Sequence, residues 1–155
     1  MDESTFVGWA AKVPWDKVAV ICHNTRFDGA ILAWRYGIRP KLWVDTMGMY
    51  RALHPHLASY ALSNLGKRFT PLTKGDEAMN TKGVRDLNAE SFARLGDYCK
   101  TDCIITAELF RQAKEQFTRF EHAVMDMTLR MFTEPILEVD GPRMKAHLAD
   151  LQARK

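Results

Sequence analysis

No apolar run in this sequence approaches the roughly 20 residues that a membrane-spanning helix needs. No apolar leader precedes the first predicted strand. These absences predict a protein without membrane contact, working in the cytoplasm. Cysteine is scarce: three among 155 residues, an odd number with no C-x-x-C pair. That excludes a disulfide framework and reads Cys22, Cys99 and Cys103 as reduced, mostly buried thiols. There is no internal repeat and no low-complexity tract. Charge of one sign is also lacking. The net charge of +3 permits nucleic-acid contact without arguing for it. What remains is an ordinary globular balance, 46% hydrophobic and 26% charged. It suffices for a packed core, argues against disorder, and at this length suggests one domain.

Residues 4–12 read as a short helix with Phe6, Val7, Trp9 and Ala10 on its apolar side, ended by Pro14. Residues 17–22 (KVAVIC) are short, β-branched and apolar on both faces, which reads as a buried strand. A turn at His23-Asn24-Thr25 leads to a helix over 27–36, with Phe27, Ile31 and Trp34 at helical spacing and Gly37 as its stop. A second strand over 41–44 ends at Asp45-Thr46. Strand, helix and strand in this order predict a βαβ unit with a parallel pair, hence an α/β fold. Helices follow over 47–53 and 60–69. Residues 70–84, rich in Gly and polar side chains, read as a surface loop. The strongest helical pattern runs over 89–117, where Phe92, Leu95, Cys99, Thr106, Leu109, Ala113 and Phe117 recur every three or four residues. A helix near 120–132 breaks at Pro135, and an amphipathic piece begins at Pro142.

Three acids sit where chemistry is placed. Asp28 follows the first strand, either as a first-turn acid stabilising the helix dipole behind an Asn24 or Thr25 cap, or as a site carboxylate. Asp102 shares a helix face with Tyr98, four residues earlier, beside an apolar stripe. It is either a rim acid paired with Lys100 or Arg94, or a carboxylate that binds a cation. Asp45 reads as the cap of the next helix. Parallel sheets gather functional groups at the carboxyl ends of their strands. A long helix packed across the sheet would bring Asp102 opposite Asp28. Two facing carboxylates repel, and a divalent cation with a preference for hard oxygen ligands relieves that repulsion. Two such ions, roughly 3.5–4 Å apart, are a recognised device for phosphodiester hydrolysis.

Asn24-x-x-Phe27-Asp28 resembles the second motif of the DEDD exonuclease superfamily, and Tyr98-x-x-x-Asp102 resembles the third motif in its tyrosine variant. The motif order matches, as do Val44-Asp45-Thr46 and Leu62-Ser63-Asn64-Leu65-Gly66 between them. The resemblance covers about residues 17–117. It implies a helix-rich ribonuclease H-like exonuclease fold, present in part over residues 1–118. The stretch 121–140 resembles the segment that joins exonuclease to polymerase in phage-type family A DNA polymerases. It implies that residues 119–155 lead toward a polymerase domain. The implied activity is 3′→5′ proofreading hydrolysis at a single-stranded DNA end during replication. The resemblance makes Asp28 and Asp102 ligands of two Mg²⁺ or Mn²⁺ ions, and Tyr98 the residue that orients the attacking water. Asn24, Phe27, Lys82 and Arg85 are the implied substrate contacts. The family's first motif, Asp-x-Glu on an opening strand, does not occur here, and Asp2-Glu3 has the wrong spacing. The expectation is therefore a partial domain whose sheet edge takes a strand from another segment or chain.

Three other readings compete, of which a Cys/His zinc site built on Cys22, His23, Cys99 and Cys103 is disfavoured because no four-ligand set has recognisable spacing. A noncatalytic nucleic-acid-binding or structural remnant of the same fold is favoured by the missing motif. An RNA 3′→5′ exonuclease of the same superfamily fits both motifs. Basic residues at Lys67, Arg68, Lys74, Lys82 and Arg85 read as phosphate contacts or as solvated surface. The aromatic residues, Phe27 excepted, read as core rather than as base-stacking platforms.

Overall fold

A computed structural model describes residues 2–72 and 87–154. The loop expected over 70–84 therefore lies largely outside the described residues, with Lys74, Lys82 and Arg85. The fold is mixed α/β, helix-rich, with a small parallel sheet. Helix α1 (Glu3–Ala10) is capped by Asp2, whose carboxylate accepts from Thr5 N–H. It ends at Ala10, short of Pro14. Strand β1 (Ala19–Cys22) follows, then helix α2 (Thr25–Ala30), which continues as a π-helical segment (Ile31–Arg35). Gly37, at φ +66°, turns the chain back. Glycine adopts this left-handed conformation without a Cβ clash. Strand β2 (Leu42–Asp45) pairs parallel to β1, with Ala19 opposite Leu42 and Cys22 opposite Asp45. The βαβ expectation holds. Then come α3 (Thr46–Leu53), α4 (Leu62–Phe69), α5 (Ala89–Ala113), α6 (Arg119–Thr133) and α7 (Gly141–Ala153).

Strand β2 is the centre of the fold. Trp43 and Val44 are buried on its opposite faces. Val44 joins Met49, Tyr50, Leu62, Leu65, Ile105, Leu109 and Ala113 in the main core. The C-terminal half of α5 closes this core over α3 and α4. Trp43 lies on the other side, under α2 and α6. A Cβ at Gly29 would stand 3.1 Å from Thr133 Cγ2 and 3.6 Å from the Trp43 ring. Only glycine lets α2 approach this closely without a shift.

One edge of β2 pairs with β1, and α6 covers the other with side chains. Trp43 N–H donates to Asp126 Oδ1 at 2.7 Å, and Asp45 N–H points at Met125 Sδ at 3.1 Å. Arg130 donates to Asp126 at 2.7 Å, to Glu134 at 2.6 Å and to the carbonyls of Pro40 and Lys41 at 2.7 and 3.0 Å. Backbone groups that a third strand would bond are thus satisfied by a helix. Helix α6 is itself fixed by a capping box between Thr118 and Glu121.

Four expectations are corrected. Strand β1 is not buried on both faces: Ala19 is exposed and the rest half-buried, because its hydrogen-bonded neighbour among the described strands is β2 alone. The apolar stripe of α5 is buried only from Ile105 onward, while Phe92 is 57% exposed. Cys99 and Cys103 are exposed rather than buried, since they lie in the uncovered half of that helix; the thiols are free, as expected. Phe27, Ile31 and Trp34 do share a helix face, but that face is open to solvent. No described helix is long and apolar enough to cross a membrane.

Packing sets the scale of substitution effects. Ile105→Ala should lower stability by about 2–5 kcal/mol in urea unfolding, the usual cost of a cavity in a closed core. Asp126→Ala should cost about 1–3 kcal/mol, because Trp43 N–H loses its acceptor and Arg130 one of its carboxylates. Leu148→Ala on α7, a helix with no buried residue, should change stability by less than about 0.5 kcal/mol. Equal effects at Leu148 and Ile105 would refute this division of the molecule.

Candidate active site

The carboxyl end of β1 opens into a cavity of about 530 Å³. Asp28 enters its wall from the first turn of α2, and Asp102 enters from α5. Cys22, His23, Cys99, Cys103 and Thr106 line it with Ile21, Ile31, Leu32, Leu62 and Ala107. Two acids far apart in sequence thus share one half-buried, mostly apolar cavity. Tyr98 lies one turn before Asp102 on α5 and is half-buried; the cavity lining does not include it. The rim partners considered for Asp102 are engaged elsewhere: Lys100 pairs with Asp97 at 2.9 Å and Arg94 with Glu90 at 3.6 Å.

The turn before α2 is built by unusual backbone geometry. Asn24 sits in the left-handed region at φ 67°, which asparagine tolerates better than most residues. Its N–H donates to Asp45 Oδ1 at 2.8 Å, and the same oxygen accepts Met47 N–H at 3.0 Å. Asp45 therefore caps α3 as expected, and also holds the β1–α2 turn. Neither Asn24 nor Thr25 caps α2 with its side chain, contrary to expectation. The Thr25 hydroxyl donates instead to Val44 O at 2.8 Å, inside the core. Asn24 and Phe27, expected substrate contacts, are both exposed, Phe27 at 68%. Lys82 and Arg85 lie outside the described residues.

Sequence reading weighed His23 as a turn residue and a weak zinc ligand, and missed its part in holding the site. Its Nε2 lies 2.9 Å from Tyr60 O and its Nδ1 2.9 Å from Thr46 Oγ1, while the Thr46 hydroxyl also reaches Cys22 O at 3.1 Å. A carbonyl only accepts, so Nε2 carries a proton. The single Thr46 hydroxyl proton serves either His23 or Cys22 O. An imidazolium would satisfy all three contacts at once, because Nδ1–H would then donate to Thr46. The network ties the end of β1 to α3 and to the start of α4. Its only sequence signal was a histidine directly after a strand.

Burial raises the Asp28 carboxyl from its ordinary value; its own backbone N–H opposes this, the Asp45 charge adds to it and His23 subtracts. Burial likewise pushes the Cys22 thiol up to about 12, with Asp28 and Asp45 contributing. Cys103 moves in the same direction, chiefly through burial. The cavity therefore disfavours an uncompensated negative charge. Two carboxylates from facing elements suit a hard divalent ion that keeps several waters. Among the described residues, no third His, Cys, Asp or Glu completes a group of three for a metal. Asp2 and Glu3 are used elsewhere: Asp2 caps α1, and Glu3 pairs with Arg35 at 2.8 Å.

Compared with protein-family models, curated proteins and solved structures, the chain matches none.

The raised carboxyl of Asp28 sets a pH dependence. Its folded pKa lies above its unfolded value, so the native state binds the proton more tightly. Stability is lost as pH rises from the unfolded pKa through the folded one. Asp28→Asn should therefore melt above wild type at pH 7. The gain should shrink on acidification and vanish well below the ordinary Asp pKa of about 3.9, where the wild-type acid is neutral in both states. A gain that persists at low pH would show that its origin is not the charge.

Proposed function

We propose that this chain carries part of a two-metal 3′→5′ exonuclease domain of ribonuclease H-like type, which hydrolyses DNA from a single-stranded 3′ end. The observation that carries the reading is the meeting of Asp28 and Asp102 in one cavity at the carboxyl end of a parallel strand. Both belong to the motifs that resemble the DEDD superfamily, and the parallel βαβ unit is the framework those motifs require.

In this reading Asp28 and Asp102 hold Mg²⁺ or Mn²⁺, which when bound supplies the positive charge that phosphodiester hydrolysis needs. The low polarity of the cavity strengthens that interaction. Tyr98 lies one turn before Asp102 outside the cavity lining; the motif resemblance is what gives its hydroxyl the role of orienting the attacking water. Asn24 and Phe27 line the neighbouring cavity, from which they would contact the strand. The sequence contains no Asp-x-Glu, so further ligands come from solvent or from another segment, and metal affinity is expected in the millimolar range, roughly −4 kcal/mol. The alternative is a noncatalytic module of the same fold, favoured by that missing motif. It would bind a strand without cutting it. RNA as the substrate fits the same carboxylates.

Metal binding is measurable without turnover. Millimolar Mn²⁺ should raise the thermal midpoint of the wild type but not of Asp28→Ala or Asp102→Ala. Equal shifts in all three proteins would sink the shared-ion site. Where the wild type degrades 5′-labelled single-stranded DNA from its 3′ end, either alanine variant should lower the rate by at least about 10³-fold. Tyr98→Phe should lower it by about 10²-fold or less. Manganese-dependent stabilisation with no hydrolysis of DNA or RNA would select the noncatalytic module.

A further inference from the structure

The outer face of α2 and its π-helical continuation carries a row of rings that the core does not use. Phe27 is 68% exposed, Ile31 43% and Trp34 58%. Trp34 packs against Phe132 of α6 with ring centroids 4.9 Å apart, and its indole N–H donates to Thr133 O at 3.1 Å. The ring is thus held from one side while the other side stays open. These side chains line a shallow cavity of about 560 Å³, with Arg26 and Arg35 at its rim. Arg35 is shared with Glu3. Arg26 is exposed and makes no ion pair among the described residues. Ile31 lines this cavity and also the one holding Asp28 and Asp102. The two cavities are neighbours.

We propose that Phe27 and Trp34, with Arg26 beside them, form a stacking platform for single-stranded nucleic acid, laid next to the carboxylate cavity. This deepens the exonuclease reading and rests on it for the choice of ligand. A single strand offers flat base faces and a phosphate on every nucleotide. Exposed rings flanked by guanidinium groups match both parts, because base stacking on aromatic rings tolerates any sequence and arginine meets phosphate. Seven residues of helical rise separate Phe27 from Trp34, about 10 Å. That length suits two or three successive bases rather than one. A strand whose end enters the carboxylate cavity would pass over Ile31 and lie along these rings. For Trp34 the sequence hid this role, because i, i+4, i+7 spacing is the ordinary signature of a core-facing stripe.

The test is fluorescence anisotropy of a 5′-fluorescein-labelled dT₁₂ with the full chain in EDTA, so that no hydrolysis intervenes. Phe27→Ala and Trp34→Ala should each weaken binding by about tenfold. Trp34→Phe, which keeps a ring and protects the fold, should stay within about threefold of wild type. Arg26→Gln should lower the slope of log affinity against log salt by about 0.7. Leu148→Ala, on α7, should bind as wild type does. Unchanged binding in the Phe27→Ala/Trp34→Phe double variant, or no binding by wild type, would overturn the platform. So would a wild-type dimer in sedimentation that these substitutions dissociate, since the face would then join two copies of the chain. A normal manganese shift with no dT₁₂ binding rejects the platform alone. Binding that follows the predictions with no manganese shift rejects the metal site alone.

Discussion

The bonding of β2 on both edges is the constraint on which the rest of this structure depends. A strand in the middle of a fold must satisfy its backbone groups on two sides. Here β1 serves one edge, and the side chains of Asp126, Met125 and Arg130 serve the other. A single unsatisfied buried N–H costs about 1–3 kcal/mol, a large share of the ordinary stability of a domain. Helix α6 is therefore part of the fold's central layer. Its seat against β2 requires the close approach at Gly29, and that approach sets the position of α2.

The candidate site follows from this arrangement. Once α2 is fixed over β2, its first turn carries Asp28 to the carboxyl end of β1. The core formed by Val44, Leu65, Ile105 and Leu109 fixes α5 from the other side. Asp102 lies one turn before Ile105, so the packing that buries Ile105 also sets Asp102 at the cavity wall. The hydrogen bonds of Asp45 and His23 hold the intervening turn. None of these supporting groups needs to touch a ligand. Together they hold two carboxylates in a half-buried space where burial has already raised one of them.

Much of the architecture could be read from residue order. The β-branched run before Cys22, the short strand ending at Asp45 and the intervening helix specified a parallel βαβ unit. Asp45 was legible as a cap because an acid at a strand end before a helix has few other local uses. The capping pattern Thr118-x-x-Glu121 is equally local. The failures were all questions of cover. The periodicity of α5 could not show that its stripe is covered only from Ile105 onward. The spacing of Phe27, Ile31 and Trp34 could not show that much of each side chain stays open to solvent. The burial of β1 was overstated because an apolar strand reads the same at an edge as in the middle of a sheet.

By itself, the sequence determined element type, order and the candidacy of Asp28, Tyr98 and Asp102, because periodicity, caps and short motifs act over a few residues. Only the tertiary structure decided that Asp28 and Asp102 share a cavity that leaves out Tyr98, that α6 closes the edge of β2, and that a row of rings faces solvent. Those facts depend on contacts between residues far apart in the chain. Burial and distance belong to the packed whole, and no local pattern encodes them.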